Sequence, residues 1–217
     1  MSYIFRGSSW DLTDQSSIPN LLAGHITITV LTLVISLLIA FPISLLIIRY
    51  TKLDLPVQTV AGILYTIPSF ALIPIMFRFT GLTIWTLLIP LVIYAQVVLI
   101  RNIVAAIRAV DPMLVDVAHA MGMSSWQTQW RVVLPLSVPI IVAGIRVVAV
   151  TTIGIATIGP FVGQANLGTL ILDGINLAQK EKIVAGSVLV TVFAVGVDLS
   201  LLGVQRWLGR GQEVATA

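Results

Sequence analysis

Long apolar stretches separated by short polar ones dominate the chain, and their lengths set the first expectation. From about Gly24 to Ile48 the only titratable side chain is His25, and Arg49 closes the stretch. A second, uncharged stretch covers Leu55 to Phe77 and contains Pro56, Pro68 and Pro74; a third starts at Phe79 and is closed by Arg101. A fourth starts near Pro135, carries Arg146 and runs into the glycine-containing stretch Gly154 to Gly168; a fifth, Ile183 to Gln205, carries Asp198. About 20 apolar residues take a helix across a bilayer, and backbone not bonded internally is excluded from lipid. The pattern therefore predicts five membrane-crossing helices, over 24–48, 55–77, 79–107, 135–160 and 183–205. Its prolines predict that the second is bent, with freed carbonyls facing protein or water.

Composition removes whole classes of function. The 217 residues are 58% hydrophobic and only 10% charged, against about 25% charged in a soluble domain. A single membrane domain over 21–210 is expected, with an extracytoplasmic segment 1–20 before it and a cytoplasmic tail 211–217 after it. Without cysteine, no disulfide framework or thiolate metal site forms. The net charge of +3 reads as an orientation signal, because basic loops stay in the cytoplasm. An outside N-terminus puts Arg49, Lys52, Arg101, Arg108, Arg131, Arg206 and Arg210 inside and only Arg6, Arg78, Lys180 and Lys182 outside. Residues 1–20 are polar and slightly acidic, unlike a cleaved signal peptide, so the first span is expected to act as its own membrane signal.

The stretch from Arg108 to Pro135 reads as a folded helical hairpin, about 111–134, on the cytoplasmic side. Asp111 is a good N-cap, and Pro112 suits the first helical position, where its missing N–H costs nothing. Gly122 ends this helix with a left-handed cap. Ser124, with Gln127 three residues on, makes a capping box for a second helix that carries Trp126, Trp130 and Val133 on one face. Leu134-Pro135 then opens the fourth span.

The run Asp116-Val117-Ala118, three residues, Gly122, nine residues, Val132, Val133, Leu134-Pro135 has the spacing of the EAA signature, EAA-x3-G-x9-I-x-LP. In these residues the chain resembles permeases of binding-protein-dependent ABC importers, with Asp116 for Glu, Val117 for Ala and Val132 for Ile. Tyr65-Thr66-Ile67-Pro68-Ser69, the stretch Ile100 to Met123 and Ala143-Gly144-Ile145-Arg146 resemble the osmoprotectant branch, which imports glycine betaine, choline or carnitine. Gly163-Gln164-Ala165-Asn166-Leu167-Gly168 departs from a glycine-richer, GAGGLG-like segment in relatives.

The resemblance implies an all-α integral membrane protein of the type I ABC importer (MetI-like) permease fold. It also implies that the hairpin is the coupling helix that docks on a cytoplasmic ATPase, through Asp116, Ala118, His119, Ala120, Gly122, Met123 and Ser124. Implied partners are an ABC ATPase dimer, a second permease copy or sister permease, and an extracytoplasmic solute-binding protein, at the bacterial inner membrane. Neither Lys52, Lys180 nor Lys182 sits in a G-x-x-x-x-G-K-[ST] loop. The chain is thus expected to be no enzyme and to bind no cofactor, with ATP and Mg on the partner.

Within the membrane, Arg146 and Asp198 each lie on the order of 10 Å from the cytoplasmic ends of their spans, counted at about 1.5 Å per residue, and are expected to pair. The other reading of these charges is that one of them lines the path. Tyr65, Pro68, Ser69 and Tyr94 are candidates for the translocation path, and Tyr65, Tyr94, Phe70 and Trp85 have π-faces suited to a quaternary ammonium or to helix packing. His119 reads as a solvated or ATPase-facing residue, and His25 as an interfacial one. Other readings of the whole chain are a permease for another small solute, such as methionine, a non-ABC channel or secondary transporter, or a membrane scaffold.

Overall fold

The computed structural model describes residues 2–5 and 7–213. Arg6, counted above as an outer charge, lies outside them. The described residues form helices and no strand: α1 Ile18–Arg49, α2 Asp54–Thr66, α3 Ser69–Thr80, α4 Trp85–Arg108, α5 Pro112–Ala120, α6 Ser125–Thr128, α7 Leu134–Ala156, α8 Gly168–Asn176 and α9 Lys180–Glu213. Among the described residues, four helices are long and apolar enough to cross a membrane, and the bent pair of α2 and α3 counts as a fifth when taken as one span.

α4 is the centre of the body, packed against α1, α3, α2 and α7. Leu87, Leu88, Leu91, Leu99 and Ile103 on α4 are all buried. α1 turns a stripe of small and hydroxylated residues inward, Thr29, Thr32, Ser36, Ala40 and Ser44, at the three- and four-residue spacing of one helix face. Small side chains let helices approach closely where lipid offers no hydrophobic drive for association. The hydroxyls of Thr29, Thr32 and Ser44 donate back to carbonyls one turn earlier, which satisfies these three buried groups, whereas the buried Ser36 hydroxyl has no such bond. α7 and α9 form the other main pair, and α8 lies against α9. Before α1, Asp11 and Asp14 accept from the backbone and hydroxyls of Thr13 and Ser16, which holds both carboxylates below the usual range.

Several boundaries depart from the hydrophobic pattern. α1 starts at Ile18, inside the segment assigned to the outer surface, because Pro19 in its first turn suits a helix start. The third span starts at Trp85 rather than at residue 79, since Phe79 and Thr80 end α3 and Gly81, with φ of +64°, turns the chain. The fourth ends at Ala156 and the fifth runs from Lys180 to Glu213, about 50 Å at about 1.5 Å per residue. The second arm of the hairpin is no separate helix. Residues Ser125–Ala156 form one continuous rod through a π turn at Gln129–Val133. α8 is absent from the sequence reading altogether.

Candidate coupling hairpin and transport path

Local chemistry builds the hairpin. The Asp111 carboxylate accepts from the Met113 N–H at 2.8 Å and starts α5. Gly122 takes φ of +84°, where a Cβ is disfavoured, and the Met123 N–H closes back on the Ala118 carbonyl at 3.1 Å. Ser124 and Gln127 then bond reciprocally, the Ser124 N–H to Gln127 Oε1 at 2.9 Å and the Gln127 N–H to Ser124 Oγ at 3.3 Å. Trp126 and Trp130 follow with ring centroids 5.2 Å apart.

α5 buries only Ala118. Met113, Leu114, Val117, Met121 and Trp126 are all exposed, as are Asp116, His119, Ala120 and Ser124, while Met123 is half-buried. So much apolar surface on so short an element is the mark of an interaction site. A hairpin lying on its own membrane body would cover those side chains.

In the membrane body, the guanidinium of Arg146 on α7 grips Asp198 on α9 with two parallel bonds, Nε to Oδ1 and Nη2 to Oδ2, both 2.9 Å. Its remaining nitrogen, Nη1, donates to Gln205 Oε1 at 2.8 Å. All three nitrogens are used, an arrangement that the planar fork of arginine allows and lysine does not. Gln205 escapes sequence reasoning, since an uncharged amide near a span's end carries no signal.

The four path candidates converge on the break between α2 and α3, where the two axes meet at 93°. Pro68 has no N–H to continue the helix and forces Ile67 into an extended conformation. The Ile67 carbonyl accepts from the hydroxyl of Tyr94 on α4, Tyr65 lies edge-on to Tyr94 with centroids 5.4 Å apart, and Ser69 begins α3. Tyr94→Phe is expected to remove that part-buried bond, which costs about 1 kcal/mol. A thermal melt in detergent reads this, and an unchanged midpoint would show that the hydroxyl does not hold the break.

Two polar residues have places that the sequence reading missed. His25 is fully buried rather than interfacial, with Nε2 3.0 Å from the Ile153 carbonyl on α7 and its ring edge-on to Phe193 on α9. It begins the polar stripe of α1, and that four-residue spacing to Thr29 is the signal that points inward. Asn166, also fully buried, donates Nδ2 to the carbonyls of Ala156 (2.9 Å) and Gln164 (3.1 Å) and accepts at Oδ1 from the Gly168 N–H (2.7 Å). It ties the end of α7 to the start of α8, within the segment where the chain departs from the glycine-rich pattern.

The body combines a bent span, a turn and the short helix α8 in the connection from α7 to α9, and a hairpin that leaves its apolar side chains exposed. The family model described as the binding-protein-dependent transport system inner membrane component matches residues 32–214, and the chain belongs to that family. The carnitine transport permease protein OpuCB of Listeria monocytogenes is 33% identical over 177 residues, 82% of this chain and 81% of that protein. The choline transport system permease protein OpuBB of Bacillus subtilis (strain 168) is 32% identical over 184 residues, 85% of each. Among solved structures, the inward-facing MetNI methionine ABC transporter matches with a TM-score of 0.77 at 20% identity, over 89% of this chain and 96% of that one. That likeness shows the fold, the MetI-type permease fold. The chain is thus a multi-pass inner-membrane permease subunit of an ABC importer.

Proposed function

We propose that this permease forms the path for quaternary-amine osmoprotectants such as glycine betaine, choline or carnitine, by alternating access driven by a separate ATPase dimer. The observation that carries the ATPase partnership is the apolar surface that the hairpin leaves uncovered at Met113, Leu114, Val117, Met121 and Trp126. Asp116, Ala118, His119, Ala120, Gly122, Met123 and Ser124 shape or border that surface, so they are assigned to coupling. Nucleotide and Mg bind on the ATPase, whose closure draws two hairpins together and rocks the attached spans. Tyr65, Pro68, Ser69 and Tyr94 border the path at the break in the second span, and Arg146 with Asp198 locks α7 to α9. A second permease copy or a sister permease completes the passage. The N-terminus lies outside and the C-terminus in the cytoplasm, as the count of basic residues favours. The names of the relatives support this cargo over methionine, for which only the likeness of fold speaks.

The test is reconstitution with the ATPase and the binding protein. Glycine betaine or choline outside should stimulate ATP hydrolysis inside, and methionine should not. Gly122→Val, which places a β-branched side chain at φ of +84°, is expected to leave insertion intact and to cut transport at least tenfold relative to hydrolysis. Unchanged transport by this variant rules out the coupling role.

A further inference from the structure

Beside the break in the second span lies a cleft of about 300 Å³ between α3 and the turn Gly159–Val162, lined by Phe70, Pro74, Phe77, Leu82 and Phe161 among others. Phe70 and Phe161 meet with centroids 5.8 Å apart and planes at 85°. In this edge-to-face pair one ring turns its edge towards the face of the other, and the Phe77 ring adds a third aromatic surface to the lining. All three are partly exposed, at 59%, 45% and 59% for Phe70, Phe77 and Phe161.

The place of the cleft argues against lipid as its occupant. Tyr94, which holds the break, is 14 residues from Arg108 at the end of α4, about 20 Å at about 1.5 Å per residue and so within a hydrocarbon layer of about 30 Å. Backbone that leaves the helix at that depth must face protein or water. The cleft opens beside this break, and its other wall is a second irregular segment, the turn after α7.

We propose that this cleft is a transit subsite for the trimethylammonium head of the solute, with Phe70, Phe77 and Phe161 as its walls. The inference rests on the quaternary-amine reading and adds to it the residues that meet the cargo. The ring faces carry the negative side of the aromatic quadrupole and replace part of the hydration that a cation loses on entering an apolar passage. Among the described residues no carboxylate lines the cleft, so the contact is weak and the cargo is released, as conduction requires.

The test uses the complete complex in proteoliposomes with choline as cargo. Phe70→Leu and Phe161→Leu keep the walls apolar and remove the quadrupole; each should lower the maximal transport rate about two- to fivefold, the range for cation–π contacts at partly exposed sites. Phe161→Tyr should keep the rate, and the melting temperature of the Leu variants should stay that of the parent. Leucine variants that transport choline at the parental rate overturn the subsite and leave the importer reading standing. Leucine variants that lose melting temperature, with Phe161→Tyr equally slow, assign the rings to packing and overturn it as well. A parent complex that moves no choline at all overturns both.

Discussion

Gly168→Ala is expected to abolish recovery of folded protein, although it adds a single methyl group. A Cβ at this position would lie 2.0 Å from the Thr157 carbonyl oxygen and 2.7 Å from its carbon. Both are backbone atoms, so no rotamer relieves the clash, and Asn166 fixes the two strands of chain from either side. Overpacking a well-filled site costs about 1–3 kcal/mol and more when the backbone must move. Gly154→Ala is the matched control, because a Cβ there meets nothing within 4 Å. At that position in α7 alanine should be neutral or stabilising, by up to about 1 kcal/mol. Yield and melting temperature of the two variants, purified side by side, decide the matter; equal behaviour would show that α8 does not start against the end of α7.

The second large effect is expected at the Arg146–Asp198 pair. Removing Asp198 leaves Arg146 only its bond to Gln205, and removing Arg146 takes away both bonds that Asp198 accepts, in part-buried positions on apolar helices. Arg146→Ala and Asp198→Ala should therefore each reduce the amount of inserted, monodisperse protein sharply. Exchanging the two, Arg146→Asp with Asp198→Arg, should recover much of it, because the groups still meet across α7 and α9. Single variants that insert normally yet fail to transport would instead assign one of these charges to the path.

What the bare sequence disclosed follows the range of the forces involved. The hairpin is built from caps that act within three or four residues, so Asp111, Gly122 and the Ser124–Gln127 box could be read in place. Arg146 and Asp198 stood out because charge is rare in an apolar span and its depth follows from helical rise. The other residues of note depend on contacts between distant segments. His25 is defined by Ile153 and Phe193, Asn166 by Ala156, and Phe161 by Phe70. Of these, only His25 leaves a periodic trace, its four-residue spacing to Thr29 on the buried face of α1. α8 was invisible for a related reason: nine residues are too few to span a membrane, and its apolar side simply extended the run of hydrophobic positions. The third span was started early because hydropathy does not register the turn at Gly81.

The wide turn at Gln129–Val133 bears on how a pull at the hairpin would reach the membrane. A π turn stores one residue beyond what the α-helical screw needs, so the rod from Ser125 to Ala156 has a spare link close to its handle. Tightening that link to ordinary α geometry would rotate Trp126 about the axis while Leu134 stays seated. The lever thus has its slack residue close to the grip, one turn before Leu134.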